Sequence, residues 1–265
     1  MAGPVRADDP AVILFTSGSE REPKGVVLTH RNLLASVAQA RAVFDLTPRD
    51  VILNPMPPFH AFGLIAATLT PLLLGSRVIL YPSPLHYHVI PELAYERRAT
   101  VLFGTDTLLM SYGRHADPYD FFSVRLAVTG EEPLREETRR LWAEKFGIRI
   151  TEGYGPNNVG SLLAVNNRRH HRAGTVGKLL PGVDHELEPV AGVADGGRLC
   201  VRGANVAVGY LSSDQPDAVT PPHTERGPGW HDTGYIVRID EDGFVTILDP
   251  VECFAKPDAT GATET

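Results

Sequence analysis

Short apolar runs punctuate this chain at close intervals. Residues 11–15 and 25–28 are two such runs on either side of a polar loop, and over residues 30–44 apolar positions return at helical spacing behind Thr29, a hydroxyl suited to cap a first turn. The pattern predicts strand, loop, strand, helix. Residues 51–53, 77–81, 100–103 and 126–129 read as further strands, with helical patterns near 64–74, 88–98 and 134–146 between them. Such alternation predicts an α/β sheet with helices packed on it.

From about Gly174 the texture changes. Residues 175–177, 185–188, 198–202, 235–239 and 244–248 are closely spaced strand-like runs, separated by turn signals such as Asp195-Gly-Gly and Asp240-Glu-Asp-Gly. A small β-barrel or sandwich is expected to follow the α/β part. The expected organisation is a disordered N-terminus over 1–10, an α/β core over 11–172, a β-rich subdomain over 173–250 and a flexible tail over 251–265. After Lys256 no side chain is apolar and larger than alanine, so the tail has nothing with which to anchor itself.

Composition narrows the function classes. The 265 residues are 43% hydrophobic and 22% charged, enough to bury a sizeable core. A net charge of -7 argues against a general nucleic-acid binder. Only Cys200 and Cys253 occur, too few for a disulfide framework or a cysteine-rich zinc site, which fits a cytoplasmic setting. No apolar run approaches the roughly 18 residues of a spanning helix, and the first ten residues lack the apolar segment of a signal peptide. The basic run Arg168-Arg-His-His-Arg172 could meet an acidic carrier protein or a phospholipid surface, the latter placing the chain at the periphery of the inner membrane; such runs are more often solvated loops. His86 and His88 lack further ligands at fixed spacing for zinc, and Trp142 and Trp230 read as packing residues.

The candidate chemistry begins at Phe15-Thr-Ser-Gly-Ser-Glu-Arg-Glu-Pro-Lys-Gly25. A loop with the hydroxyls of Thr16, Ser17 and Ser19, the freedom of Gly18 and the charge of Lys24 can turn donors onto phosphate oxygens. It is not a Walker loop, since no Gly-Lys-Ser order occurs and a strand follows. An ordinary hydroxyl-rich turn is the plainer reading of composition alone. The whole string, however, resembles the phosphate loop of the adenylate-forming superfamily of acyl and aryl acid ligases. Further strings resemble that superfamily in order: Pro57-Pro-Phe-His60-Ala-Phe-Gly63, Gly130-Glu-Glu-Pro-Leu134, Glu152-Gly-Tyr-Gly155, and Gly229-Trp-His-Asp-Thr-Gly234 followed by Asp240-Glu-Asp-Gly-Phe244. Residues 80–93, 99–107 and 115–121 are similar to the synthetase half of bifunctional acyl-[acyl-carrier-protein] synthetases/2-acylglycerophosphoethanolamine acyltransferases.

The resemblance implies a layered αβ fold and a defined reaction. A fatty acid is activated with ATP and Mg²⁺ to an acyl-adenylate, then passed to the thiol of an acyl carrier protein or of coenzyme A. It implies that Thr16, Ser17, Gly18, Ser19 and Lys24 hold the leaving pyrophosphate, with Thr16 near the metal. Gly130, Glu131, Glu132, Pro133, Tyr154 and Gly155 would flank adenine, and His60, between Phe59 and Phe62, would gate the site or orient the acid. Read without its motif, His60 is a core histidine.

Several positions depart from the superfamily pattern. Asn157 and Asn158 stand where threonine and glutamate are usual, and a neutral amide is a weaker ligand for a hard cation than a carboxylate. Tyr235 stands where an aspartate would grip the ribose hydroxyls. Asp249 and Glu252 fall where a glycine-arginine and a basic hinge are usual, and Arg21 replaces a loop glycine. A mobile C-terminal cap is expected to be absent, as is a segment ahead of Ala11. The expectation is impaired turnover, with three alternatives: a slow ligase, a non-catalytic acyl- or nucleotide-binding module, or one part of a split enzyme completed by a second chain.

Overall fold

The computed structural model describes residues 3–15 and 24–250, the side chains of 249 and 250 excepted. A seven-stranded sheet forms its centre, in the order β4 (Arg77–Leu80), β3 (Val51–Asn54), β5 (Val101–Phe103), β6 (Leu126–Thr129), β7 (Ile150–Tyr154), β8 (Ala164–Val165) and β9 (Lys178–Leu179). The first five strands are parallel and the last two antiparallel. β3, β5 and β6 are buried throughout, which explains why they read as unbroken apolar runs rather than alternating ones.

Helices α1 (His30–Val43), α3 (Val89–Glu96), α4 (Asp106–His115) and α5 (Glu136–Phe146) surround that sheet. Thr29 caps α1 as its sequence predicts, in a reciprocal box: its hydroxyl accepts from the Asn32 amide while Asn32 Oδ1 accepts from Thr29 N at 2.8 Å. α4 has no counterpart among the sequence-derived helices. It begins at Thr105, whose hydroxyl accepts from Leu108 N, and buries Leu108, Leu109 and Tyr112. Trp142 on α5 is fully buried, stacks on Phe121 and donates from Nε1 to Leu109 O at 2.8 Å, so its packing role holds.

Between β3 and β4 the chain forms a π-helix, Phe62–Leu69, which runs into the short α2 (Thr70–Leu73). Its cause is local. Asn54 Nδ2 and Thr68 Oγ1 both donate to the Gly63 carbonyl, at 3.1 and 2.8 Å, occupying an acceptor that an α-helix would use for its own ladder. Gly63 is also obligatory, because a Cβ there would lie 2.1 Å from Pro57 O.

The remaining strands form two four-stranded sheets. One runs β1 (Pro10–Phe15), β2 (Gly25–Thr29), β12 (Gly209–Ser212), β13 (Gln215–Thr220); the other runs β10 (Val183–Glu188), β11 (Gly197–Gly203), β16 (His231–Ile239), β17 (Val245–Pro250). A two-stranded ribbon, β14 (His223–Thr224) with β15 (Gly227–Pro228), lies between them in sequence. All pairings in these sheets are antiparallel, and neither closes into a barrel among the described residues. Residues 175–177, expected as a strand, are a turn leading into β9. Gly177 at φ 85° sits so close to Val165 C, 1.9 Å from an added Cβ, that no side chain fits.

The basic run separates by role. Arg172 pairs with Asp240 and with Asp242 and lies over the Phe244 ring, so it staples a turn of the antiparallel sheet to the loop between β8 and β9. Arg168 donates to Arg125 O at 3.3 Å, while Arg169 and His170 are exposed.

Candidate active site

The carboxyl ends of parallel strands are where a sheet of this kind presents loops to a ligand, since neighbouring connections diverge there. The loops after β3, β6 and β7 carry His60, Gly130 to Pro133, and Gly155 to Asn158. Their mutual arrangement is fixed by short polar ties. Asn157 Oδ1 accepts from Ala61 N at 3.0 Å, which joins the His60 loop to the β7 loop. Glu132 Oε2 accepts from Thr107 N at 3.0 Å, tying the β6 loop to the first turn of α4. Asp106 in that turn is buried and paired with Arg135, whose amide also donates to Asp106 Oδ1.

Two positions, one glycine-dependent and one strained, shape this end of the sheet. A Cβ on Gly155 would come within 2.5 Å of Ser161 O, so the Tyr154-Gly155 turn requires glycine. Glu131 adopts φ 68°, a left-handed conformation that disfavours a side chain, at a loop where backbone strain is commonly found in binding sites. Burial in the crowded loop pushes the Glu131 carboxyl up, His60 nearby draws it down, and Glu132 adds to the rise, although the side chain itself keeps solvent contact.

His60 meets Phe59 at a ring separation of 4.7 Å with the planes tilted by 53°, whereas Phe62 turns into the core and meets Phe103 edge-on at 5.6 Å. The histidine is therefore half-buried beside one aromatic ring, not held between two. Lys24 is half-buried, immediately precedes β2 and is engaged with a partner. Phe15 pairs with Gly25, which brings the two ends of the phosphate-loop candidate side by side. Thr16, Ser17, Gly18, Ser19 and Arg21 lie outside the described residues, as do Glu252 and Cys253.

Tyr154 and Tyr235 meet edge to face at 5.4 Å. Burial pushes the Tyr154 phenol up against a smaller lowering from the nearby Thr233 hydroxyl, which itself donates to Leu199 O at 2.9 Å, and no aligned hydrogen-bond partner meets the Tyr154 hydroxyl. Asn158 is held from both sides. Its carbonyl accepts from Ala207 N at 2.9 Å, and its side-chain amide faces His231 Nε2 at 3.3 Å. His231 Nδ1 in turn meets Tyr210 Oη at 2.7 Å. Burial holds His231 down at about 4, so its ring is neutral and accepts at one nitrogen while donating at the other.

Neither His231 nor Tyr210 is singled out by the sequence pattern, although His231 stands inside the Trp230-His-Asp-Thr-Gly string; only the fold brings strands 209–212 and 231–239 against the β7 loop. Glu152, the first residue of the Glu-Gly-Tyr-Gly string, is taken up by an ion pair. It is buried against Arg139 at 2.7 Å, and burial raises its carboxyl more than that guanidinium lowers it.

The donor set fits a nucleotide better than a protein-held metal. Tyr154, the strained Gly130–Glu131 turn and the tight Gly155 turn offer a flat aromatic wall and backbone edges of the kind an adenine needs. For Mg²⁺ the residues fit poorly: Asn158 is tied to His231, and among the described residues no group of three or more His, Cys, Asp or Glu side chains could hold a metal.

Comparison with known proteins agrees with this geometry. A long-chain-fatty-acid–CoA ligase of Salmonella typhimurium is 31% identical over 262 residues, covering 92% of this chain and 45% of the relative. Peroxisomal OPC-8:0-CoA ligase 1 of Arabidopsis thaliana is 31% identical, covering 95% and 48%. ATP-bound MatB from Rhodopseudomonas palustris superposes with a TM-score of 0.81 at 30% identity, covering 93% and 49%. O-succinylbenzoate coenzyme A synthetase from Bacillus subtilis, solved with ATP and a magnesium ion, shares the fold with a TM-score of 0.80 at 24% identity. The chain thus spans about half the length of the relatives it matches. Both ligases and the synthetase carry coenzyme A in their names, and none of the four is a carrier-protein synthetase by name. Residues 1–211 match the AMP-binding enzyme description, and with the loops of β3, β6 and β7 disposed as they are, the chain belongs to that AMP-binding enzyme family.

Proposed function

We propose that this chain is the nucleotide-binding core of an ATP-dependent acid–thiol ligase acting on a fatty acid. The observation that carries the reading is the convergence of His60, Glu131, Tyr154 and Asn157 at the carboxyl ends of β3, β6 and β7, joined by the Asn157 to Ala61 hydrogen bond. In this reading Tyr154 and the Gly130 to Pro133 backbone flank adenine. The hydroxyls of Thr16, Ser17 and Ser19, with Gly18 and Lys24, hold the departing pyrophosphate, and His60 orients the acid. A carboxylate is a poor acyl donor; joining it to AMP provides a leaving group, and attack on the α-phosphorus needs charge neutralisation above all. The acceptor is the thiol of coenzyme A, which the names of the relatives favour, or of an acyl carrier protein.

A second reading rests on Asn158 and Tyr235. With Asn158 tied to His231 and Tyr235 packed on Tyr154, a metal carboxylate and a ribose carboxylate are both replaced, each at a cost of about 2 to 4 kcal/mol in binding or transition-state stabilisation. The chain would then be a non-catalytic acyl- or nucleotide-binding module, or one part of an enzyme completed by another chain. Pyrophosphate release with fatty acids of several lengths, beside calorimetric titration with ATP and Mg²⁺, separates the readings. Release at ordinary enzymatic rates supports the ligase; nucleotide or acyl binding without release supports the module. Absence of both nucleotide and acyl binding would overturn the proposal.

A further inference from the structure

The end of the central sheet opposite the candidate site carries a surface that the ligase reading does not use. Three large aromatic side chains are exposed there: Tyr95 near the end of α3, and Tyr119 and Phe122 in the loop that leads into β6. They are 51%, 77% and 52% exposed. Tyr95 and Phe122 touch at a ring separation of 5.4 Å, and the Arg98 guanidinium lies 5.8 Å from the Phe122 centroid. Ser123 Oγ donates to Ala99 O at 2.9 Å and Arg125 N to Thr100 O at 2.9 Å, which holds the aromatic loop against the α3–β5 turn. Arg98 itself adopts φ 51°, a conformation uncommon outside glycine.

Charges of both signs surround these rings. Glu96, Arg97 and Arg98 lie on one side, Asp117 and Asp120 on the other, and all but the half-buried Asp120 are exposed. Among the described residues none of the five makes an ion pair, although the Asp120 carboxylate accepts from the Asp117 amide at 2.7 Å. Other arginines of the chain behave otherwise: Arg114 pairs with Glu137, Arg125 with Asp50 and Arg139 with Glu152. Exposed tyrosine, phenylalanine and arginine are the side chains enriched where proteins meet. An anionic bilayer fits less well, since Glu96, Asp117 and Asp120 would face its headgroups.

We propose that this patch is a self-association face, and that its partner is a second copy of the same chain related by a two-fold axis. A surface carrying unpaired cations beside unpaired anions complements itself under such a rotation, with the arginines of one copy opposite the aspartates of the other. The three rings alone expose about 350 Å² if each offers roughly 200 Å². That is close to half of the roughly 800 Å² each partner contributes to a standard interface, leaving the flanking charged side chains to supply the rim. The inference is independent of the ligase reading, because it uses the opposite end of the sheet.

Sedimentation velocity of the whole chain over a range of micromolar concentrations tests it. The expected result is a monomer–dimer equilibrium that Tyr119→Ser, Arg98→Glu and Asp117→Arg each weaken about tenfold or more, roughly one lost charged contact or aromatic anchor. Charge exchange provides the control for misfolding. Arg98→Glu and Asp117→Arg chains, each monomeric alone, should form a heterodimer when mixed, because both opposed contacts are then between unlike charges. A chain that stays monomeric at all concentrations, a dimer indifferent to these substitutions, or a mixture that fails to associate would overturn the proposal. So would binding to phosphatidylglycerol vesicles by a chain that remains monomeric.

Discussion

Asp50 offers a quantitative test of how the amino ends of the parallel strands are held together. Its carboxylate accepts five hydrogen bonds: from Thr47 N and Thr47 Oγ1 at 2.8 and 3.0 Å, from Thr100 Oγ1 at 2.7 Å, and from Arg125 Nε and Nη2 at 2.8 and 2.7 Å. Those donors belong to the turn before β3, the start of β5 and the start of β6, so one side chain joins three neighbouring strands. Burial alone would push the carboxyl up; the donations from Arg125, Thr100 and Thr47 outweigh it and hold it at about 2, against an ordinary 3.8. At about 1.4 kcal/mol per unit this corresponds to about 2 kcal/mol of stability. Because the folded value is depressed, that stability is present above pH 3.8 and is lost as the pH falls towards 2.

Asp50→Asn removes the charge and turns an acceptor into a donor facing donors. Arg125 remains 30% exposed and can be rehydrated, so the expected loss at neutral pH is about 2 to 3 kcal/mol, below the cost of stranding a fully buried partner. Urea unfolding of both chains across pH 2.5 to 7, as roughly spaced points bracketing this titration, should show the difference shrinking below pH 4. A difference constant across that range, or one below about 0.5 kcal/mol at pH 7, would refute the assignment of Asp50 as a charged clamp.

Other consequences can be measured in the same way. Burial of His231 lowers its folded value to about 4, so the unfolded chain binds the extra proton between pH 6.5 and 4; stability should fall with pH across that window, and His231→Gln should abolish that slope in pH-dependent melts. Gly63→Ala drives a methyl into the Pro57 carbonyl and should destabilise by about 2 kcal/mol or more, against about 1 kcal/mol gained had the glycine been unconstrained in a helix. Arg139→Met strands the buried Glu152 and should cost about 3 to 5 kcal/mol by chemical denaturation, with most of it restored in the Arg139→Met, Glu152→Gln double variant. Asn157→Ala removes the tie to Ala61, with an expected loss of about 1 kcal/mol in stability and, if the site binds nucleotide, a weaker ATP titration.

Strands β3, β5 and β6 were legible because burial on both faces leaves an uninterrupted apolar run, as in Val51 to Leu53 and Leu126 to Thr129, whereas the parallel strand β7, whose Thr151 and Glu152 break such a run, was not. Helix α1 was legible from Thr29 and its periodicity. α4 was not: its buried Leu108, Leu109 and Tyr112 sit among Asp106, Ser111, Arg114 and His115, and its start depends on the Thr105 cap and the Asp106–Arg135 pair, a contact across 29 residues. A helix near 64–74 was legible from its periodicity, but its π register was not, since that depends on the approach of Asn54 to the Gly63 carbonyl. At the site, short strings located His60, Gly130 to Pro133 and Tyr154 to Asn158, whereas His231 and Tyr210 depend on distant strands meeting. The same limit explains Phe62, which reads as a neighbour of His60 but packs on Phe103.

Strand β2 has both of its edges occupied, one by β1 and the other by residues 209–211. The backbone that positions Lys24 is therefore completed by a segment far downstream in the chain. A chain shortened before Gly209 would leave the Gly25–Thr29 ladder open along one side, inviting pairing with a foreign strand and aggregation. Useful fragments for binding studies should extend through Ser212.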